Sequence, residues 1–147
     1  MPDEPLNYMR ISARLGCCGQ PTLEQWDWIA AQGYQVVINL FPTSAPDGMP
    51  DAFGLASVRG LEYIHIPVVW ETPTQANLQQ FFAAMEAHRA QSVLVHCRRN
   101  YRASAFVYLW RVLRCGEPEE DARWDMLSVW EPDETWQALI DRALAAG

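Results

Sequence analysis

The sequence predicts an α/β domain built on a mostly parallel sheet of four to five strands flanked by helices. Three observations carry that prediction. Three short runs, Val36–Leu40, Tyr63–Val68 and Ser92–His96, are almost continuously apolar, as strands buried on both faces are. Helical patterns alternate with them along the chain, which favours parallel pairing through crossovers. The 147 residues fit one domain, residues 1–147, and with 50% hydrophobic and 20% charged residues a packed core forms and disorder is excluded.

Taken in order, Tyr8–Ser12 reads as a weak edge strand. Thr22–Gln32 reads as a helix with a capping box, Thr22 at N-cap and Gln25 at N3, and Gly33 at the C-terminal cap position. The strand Val36–Leu40 follows and ends before Pro42. Ala52–Arg59 is a weaker helix, and Gly60 separates it from the strand Tyr63–Val68. Thr72-Pro73-Thr74-Gln75 is a second capping box with Pro at N1. It opens a helix whose Leu78, Phe81, Phe82 and Met85 share one face. The strand Ser92–His96 runs into Cys97. A helix over Arg102–Arg114 stops at Gly116, and Pro118–Trp130 and Pro132–Ala146 complete the chain as helices. In sheets of this type ligands bind beyond the carboxyl ends of the strands, where Cys97 stands.

Formal net charge is −7, which makes nucleic acid or an acidic membrane face a poor partner for the body of the protein. The charge is uneven. Every basic residue is Arg, and Arg98, Arg99, Arg102, Arg111 and Arg114 crowd together, while 9 of the 18 acids lie from Glu117 onward. A local basic site on an acidic body suits a small anion. Met1–Arg10 carries Asp3 and Glu4 and no apolar stretch, so no secretory signal is expected. The longest apolar run, Ala105–Trp110, is too short to span a bilayer. Cys17, Cys18, Cys97 and Cys115 lack the spacing of a disulfide scaffold, and with the His residues they lack metal-ligand spacing. The expectation is a reduced, cytoplasmic protein with no membrane partner and no metal; its oligomeric state is left open.

The chemistry concentrates in His96-Cys97-Arg98-Arg99-Asn100-Tyr101-Arg102-Ala103-Ser104. A strand ends, a Cys follows, the chain turns, and a helix begins. The helix N-terminus and the free N–H groups of the turn form a concave anion site. The same positive field stabilises a thiolate. Arg102 supplies a planar fork for two phosphate oxygens. Asn100 is one of the few non-Gly residues that tolerates a left-handed turn. A buried structural Cys is the ordinary alternative. Arg98 and Arg99 either stand in solvent or face the anion, and their backbone N–H groups line the site in both cases.

These residues resemble the loop of cysteine-dependent protein tyrosine and dual-specificity phosphatases, which reads His-Cys, five residues, then Arg and Ser or Thr. The resemblance runs roughly over Gly19–Gly116. It is similar in particular to a bacterial short-loop branch, related to the phosphatase-like domain of beta-lactamase-hydrolase-like proteins, with four residues between Cys and Arg, as between Cys97 and Arg102. It implies a dual-specificity-phosphatase-like fold and hydrolysis of phosphomonoesters through a phosphocysteine, without a cofactor. The substrate would be a phosphorylated protein, at tyrosine or serine, or a small phosphoester. Counting five residues from Cys97 reaches Ala103, so the family's Arg is matched only by the shorter count. A cradle of six residues, Cys97 through Arg102, is also the length in rhodanese-like sulfurtransferases, where the Cys carries a persulfide. A phosphate-binding module without chemistry is a third reading.

The resemblance implies further roles. An acid on the loop after the preceding strand protonates the leaving group. In Val68-Val69-Trp70-Glu71-Thr72-Pro73 that acid is Glu71, which could equally serve only the following helix N-terminus. Asp47 and Asp51 are other acids, in the Pro- and Gly-rich loop after the first strand. His96 orders the loop rather than attacking. Ser104 either donates to the thiolate or bonds only to backbone. Tyr101 either walls the pocket or points to solvent. His65 reads as core and His88 as exposed. Cys17 and Cys18 read as buried, with a disulfide to Cys97 as the alternative. Trp124, Trp130 and Trp136 read as packing residues.

Overall fold

The computed structural model describes residues 3–147. Strands β1 (Met9–Ser12) and β2 (Leu15–Cys18) form an antiparallel hairpin. Helix α1 (Gln25–Ala31), strand β3 (Val36–Asn39), helix α2 (Ala52–Ser57), strand β4 (Glu62–His65), helix α3 (Gln75–Ala87), strand β5 (Val93–His96) and helices α4 (Tyr101–Leu113), α5 (Glu119–Val129) and α6 (Glu134–Ala146) follow. The sheet order is β1-β2-β5-β3-β4, parallel except for the β1–β2 edge. The expected α/β architecture is therefore present, with five strands. Among the described residues no helix is long and apolar enough to cross a membrane.

The central strands β2, β3 and β5 are buried along their whole length because successive side chains enter different helical layers. Val36, Ile38, Val93, Val95 and Cys17 face α3, α4 and α6, meeting Phe81, Phe106 and Trp136. Val37, Leu94 and Cys18 face the opposite way, toward Trp26, Ile29, Ala52 and Ala56 of α1 and α2. This two-sided burial fixes register, since a one-residue slip would exchange the layers. It also fixes the carboxyl ends of β3 and β5 side by side, with Asn39 opposite His96.

Several expectations need correction. β2 was not foreseen, because Leu15-Gly16-Cys17-Cys18 is short and small, yet all four residues are buried. Its Gly16 is required: a Cβ there would collide with the Tyr34 hydroxyl. α1 starts at Gln25, not Thr22. Only half of the foreseen box forms, the Thr22 N–H donating to Gln25 Oε1 at 2.9 Å, and Glu24 is the N-cap without a side-chain bond. At α3 the box shifts by two residues: the Asn77 N–H donates to Thr74 Oγ1 at 3.0 Å, and the Thr74 N–H to Asn77 Oδ1 at 3.1 Å. Thr72 is occupied in a turn through its N–H to the Val69 carbonyl, and Gln75 donates to the Leu139 carbonyl. His88 is mostly covered and pairs with Glu62 at 2.9 Å rather than standing in solvent. Trp124 is 76% exposed, so it is not a packing residue, whereas Trp136 is buried.

Candidate active site

β5 delivers His96 and Cys97 to the carboxyl edge of the sheet, and α4 begins four residues beyond Cys97. Asn100, the N-cap of α4, adopts φ 72° and ψ 4°, the left-handed conformation its short amide tolerates. The segment ahead of β1 clasps this turn. Asn100 Nδ2 donates to the Asn7 carbonyl at 2.8 Å, and Asn7 Nδ2 donates to the Arg99 carbonyl at 3.0 Å. The Gln20 N–H donates to the Arg98 carbonyl at 2.9 Å. Gly19 bridges to Arg99, and a Cβ on Gly19 would stand 2.7 Å from the Arg98 oxygen, so only glycine permits that approach. Both loop carbonyls are thus bound by residues outside the cavity described next, which keeps their negative ends away from it.

A cavity of about 430 Å³ lies over the start of α4, lined by Phe41, Trp70, Glu71, Arg98, Arg99, Tyr101 and Arg102. The loop after β3 supplies Phe41, and the loop after β4 supplies Trp70 and Glu71. Arg102 is nearly buried, with its guanidinium carbon 5.4 Å from the Phe41 ring centre and 5.2 Å from that of Trp70. Those faces favour a cation. Burial draws the Arg102 pKa down, and the neighbouring Cys97 sulfur and Glu71 carboxylate oppose that shift. Arg102 Nε is buried without a hydrogen-bond partner, an unmet donor at the cavity wall. A larger groove of about 670 Å³ between α5 and α6 is lined by Glu119, Glu131, Asp133, Glu134 and Asp141 and holds no cysteine or histidine.

The sequence-derived residues divide as follows. Arg98, Arg99, Tyr101, Arg102 and Glu71 line one cavity. Arg98 is bound to Asp47 at 2.6 Å, which ties the loop after β3 to the Cys loop and commits Asp47 to an ion pair. Tyr101 is a wall of the cavity, held by stacking on Trp130 at 4.8 Å and 2° between planes. Cys97, beside Arg102, is wholly buried and does not line the cavity, so in this conformation the sulfur is not open to the anion site expected at the loop. Ser104 is not directed to the sulfur, because its hydroxyl donates to the Tyr101 carbonyl at 3.1 Å. His96 is buried edge-on to Trp26, with Nδ1 3.4 Å from the Cys97 carbonyl. Desolvation holds its pKa at about 4, so the ring is neutral and structural.

Two of the five clustered arginines serve elsewhere. Arg111 holds Glu117 at 2.7 Å and Asp125 at 2.6 Å, joining α4 to α5, and Arg114 lies over the Phe82 ring. Cys17 and Cys18 are buried free thiols. Burial pushes Cys17 up to about 12, opposed by its contact with the Asn100 side chain. Sequence reasoning missed Phe41, Trp70 and Asn7. The first two stand just past the carboxyl ends of β3 and β4, a position that marks ligand sites in such sheets; Asn7, at φ 53°, carries no comparable signal.

The chain and its fold have known counterparts. A family model described as "DSP-PTPase phosphatase fused to NAD+ Kinase" matches residues 5–140. The beta-lactamase hydrolase-like protein of Xylella fastidiosa (strain Temecula1) is 37% identical over 106 residues, 70% of this chain and 24% of that protein. The chain thus spans about a quarter of the length of the curated relatives it matches. The crystal structure of a DUF442 phosphatase from Shewanella putrefaciens CN-32 superposes with a TM-score of 0.89 at 35% identity, over 97% of this chain and 93% of the other. The core catalytic domain of the PP-IP phosphatase SIW14 from S. cerevisiae shares the fold, with a TM-score of 0.78 at 14% identity over 95% and 86% of the two chains.

Proposed function

The chain belongs to the DSP-PTPase phosphatase family, and from that membership we propose a cysteine-dependent phosphatase acting on phosphomonoesters, phosphorylated protein or small phosphoester. The observation that carries this reading is Arg102. It is an almost buried guanidinium with an unmet Nε donor, beside the Cys97 sulfur and on the wall of a cavity that also presents Glu71.

In this mechanism the substrate phosphoryl group sits over the start of α4, its oxygens held by the Arg102 fork and the N–H groups of the loop. The Cys97 thiolate attacks phosphorus, and the bond from phosphorus to the leaving oxygen breaks. Glu71, protonated, gives its proton to that oxygen. The Glu71 carboxylate then takes a proton from water, whose oxygen attacks the phosphocysteine. The S–P bond breaks, inorganic phosphate leaves, and the thiolate is restored. Because Cys97 is covered, the cycle needs the loop to shift enough to open the sulfur to the phosphoryl group. The four free cysteines suit a reducing, cytoplasmic setting, since oxidation of Cys97 would stop attack.

The test is hydrolysis of an aryl phosphate by purified protein, with Cys97→Ser expected to abolish turnover. Undiminished turnover in Cys97→Ser overturns the nucleophile. The full burial of Cys97 favours a second reading, a phosphate-binding module without turnover. Phosphate or vanadate binding with no hydrolysis would select it. The six-residue cradle keeps sulfur transfer in the comparison, and cyanide conversion with thiosulfate, lost in Cys97→Ser, would select that reaction instead.

A further inference from the structure

We propose that Arg99 is a specificity residue, and that the preferred substrate is a small phosphomonoester carrying a second anionic group on a planar leaving group. The proposal rests on the phosphate site read above and adds the chemistry of the rest of the molecule.

Three arginines line the cavity, and their charges are not equally committed. Arg98 is paired with Asp47 at 2.6 Å. Arg102 is the nearly buried guanidinium beside the sulfur, assigned to the phosphoryl oxygens. Arg99 is exposed, and no carboxylate among the described residues forms an ion pair with it. Its backbone is fixed all the same, by the bridge to Gly19 and the bond from Asn7 to its carbonyl. A fixed backbone with an uncommitted cation at a cavity mouth is a preset place for an anion. The acidic body of the chain, net −7, makes such a local cation stand out to an approaching anion.

Size and wall chemistry limit the occupant. At about 430 Å³ the cavity falls within the range of about 300–1,000 Å³ typical of small-ligand sites, so it has room for more than a phosphoryl group. Trp70 and Tyr101 wall the space, and Tyr101 is kept flat by its stack on Trp130. The Trp70 ring carries Arg102, which leaves the Tyr101 wall as the surface that suits a planar ring. A ring so held, with its phosphate on Arg102, would turn a second anion on its edge toward Arg99.

The test compares 3- and 4-carboxyphenyl phosphate with the carbamoyl compounds of the same shape and no second charge. Binding is measured by calorimetry on Cys97→Ser and, as a second trap, Cys97→Ala, and kcat/KM on the native chain. The expected result is about tenfold tighter binding of at least one carboxylate over its carbamoyl partner, shrinking at high salt because Arg99 is exposed. Arg99→Ala should bring that ratio to about one, and Arg99→Lys should keep part of it. Equal binding of the paired probes, or a ratio that survives in Arg99→Ala, overturns the proposal. Failure of every probe to bind overturns it together with the phosphate site. Hydrolysis that persists in Cys97→Ser would remove the nucleophile assignment alone, leaving the binding ratio to judge Arg99.

Discussion

Asn7 and Asn100 hold each other's turns. The Asn100 amide donates to the Asn7 carbonyl at 2.8 Å, the Asn7 amide donates to the carbonyl of Arg99 at 3.0 Å, and both residues have positive φ, 53° and 72°. A segment at the start of the chain thereby fixes the curvature of the loop that carries Cys97. This is a remote contribution to preorganisation, and it separates into a backbone part and a hydrogen-bond part.

That separation gives the first prediction. Asn100→Gly keeps the left-handed backbone and loses the clasp, while Asn100→Ala loses both. The lost bond costs about 1 kcal/mol, and the strained alanine adds about 1 kcal/mol more. Urea unfolding should therefore rank stability as native, then glycine, then alanine. An alanine variant as stable as the glycine one would show that the conformation at Asn100 is not under constraint.

Arg102 should matter for activity far more than for folding. A nearly buried cation with an unmet Nε donor is retained against its own desolvation. Arg102→Met fills similar space beside Phe41 and Trp70 without a charge, so its melting temperature should match or exceed the native value. Aryl phosphate hydrolysis should fall by about 10²–10³, the order of losing one preorganised charge donor. Arg102→Lys keeps the charge but not the fork and should recover little. A large loss of stability in Arg102→Met would mean that the guanidinium is structural.

His96 makes a pH prediction whose sign follows from its burial. Its pKa is about 4 in the folded chain, against a usual value of 6.5. Between those limits the unfolded chain binds a proton that the folded chain refuses, so stability falls as pH drops from about 6.5 toward 4. The contribution of this one group reaches at most about 3 kcal/mol. Urea midpoints measured at steps from pH 7.5 to 5 should decline, and the decline should flatten in His96→Gln. An unchanged slope in that variant would assign the acid sensitivity to other groups.

What the sequence made legible depended on how local the signal was. The passage from β5 through Cys97 into α4 could be read because an apolar run, a cysteine and a helical pattern adjoin one another. β2 could not, since its glycine and cysteines are short and small, and their burial depends on β5 and on Tyr34, both distant in the chain, as well as on the neighbouring β1. The anion site at Cys97 was legible from the loop's own residues, but the full burial of the sulfur comes from tertiary packing. Likewise Arg98, which the sequence leaves between solvent and the anion, pairs with Asp47 on the loop after β3. The hydroxyl of Ser104 was drawn to the nearest carbonyl, Tyr101, a competition that sequence raises but does not decide.

Glu71 provides the most discriminating test of the chemistry. It is exposed, lies in the turn between β4 and α3, and faces the cavity together with Arg102. Removing an acid matters only where the leaving group needs a proton. Glu71→Gln should therefore slow phenyl phosphate by about 10²–10³ and 4-nitrophenyl phosphate, whose leaving group departs as an anion, by much less. Plotted against leaving-group basicity, rates of the variant should fall more steeply than those of the native chain. Parallel plots for the two proteins would remove Glu71 from proton transfer and leave it as a charge at the cavity rim beside α3.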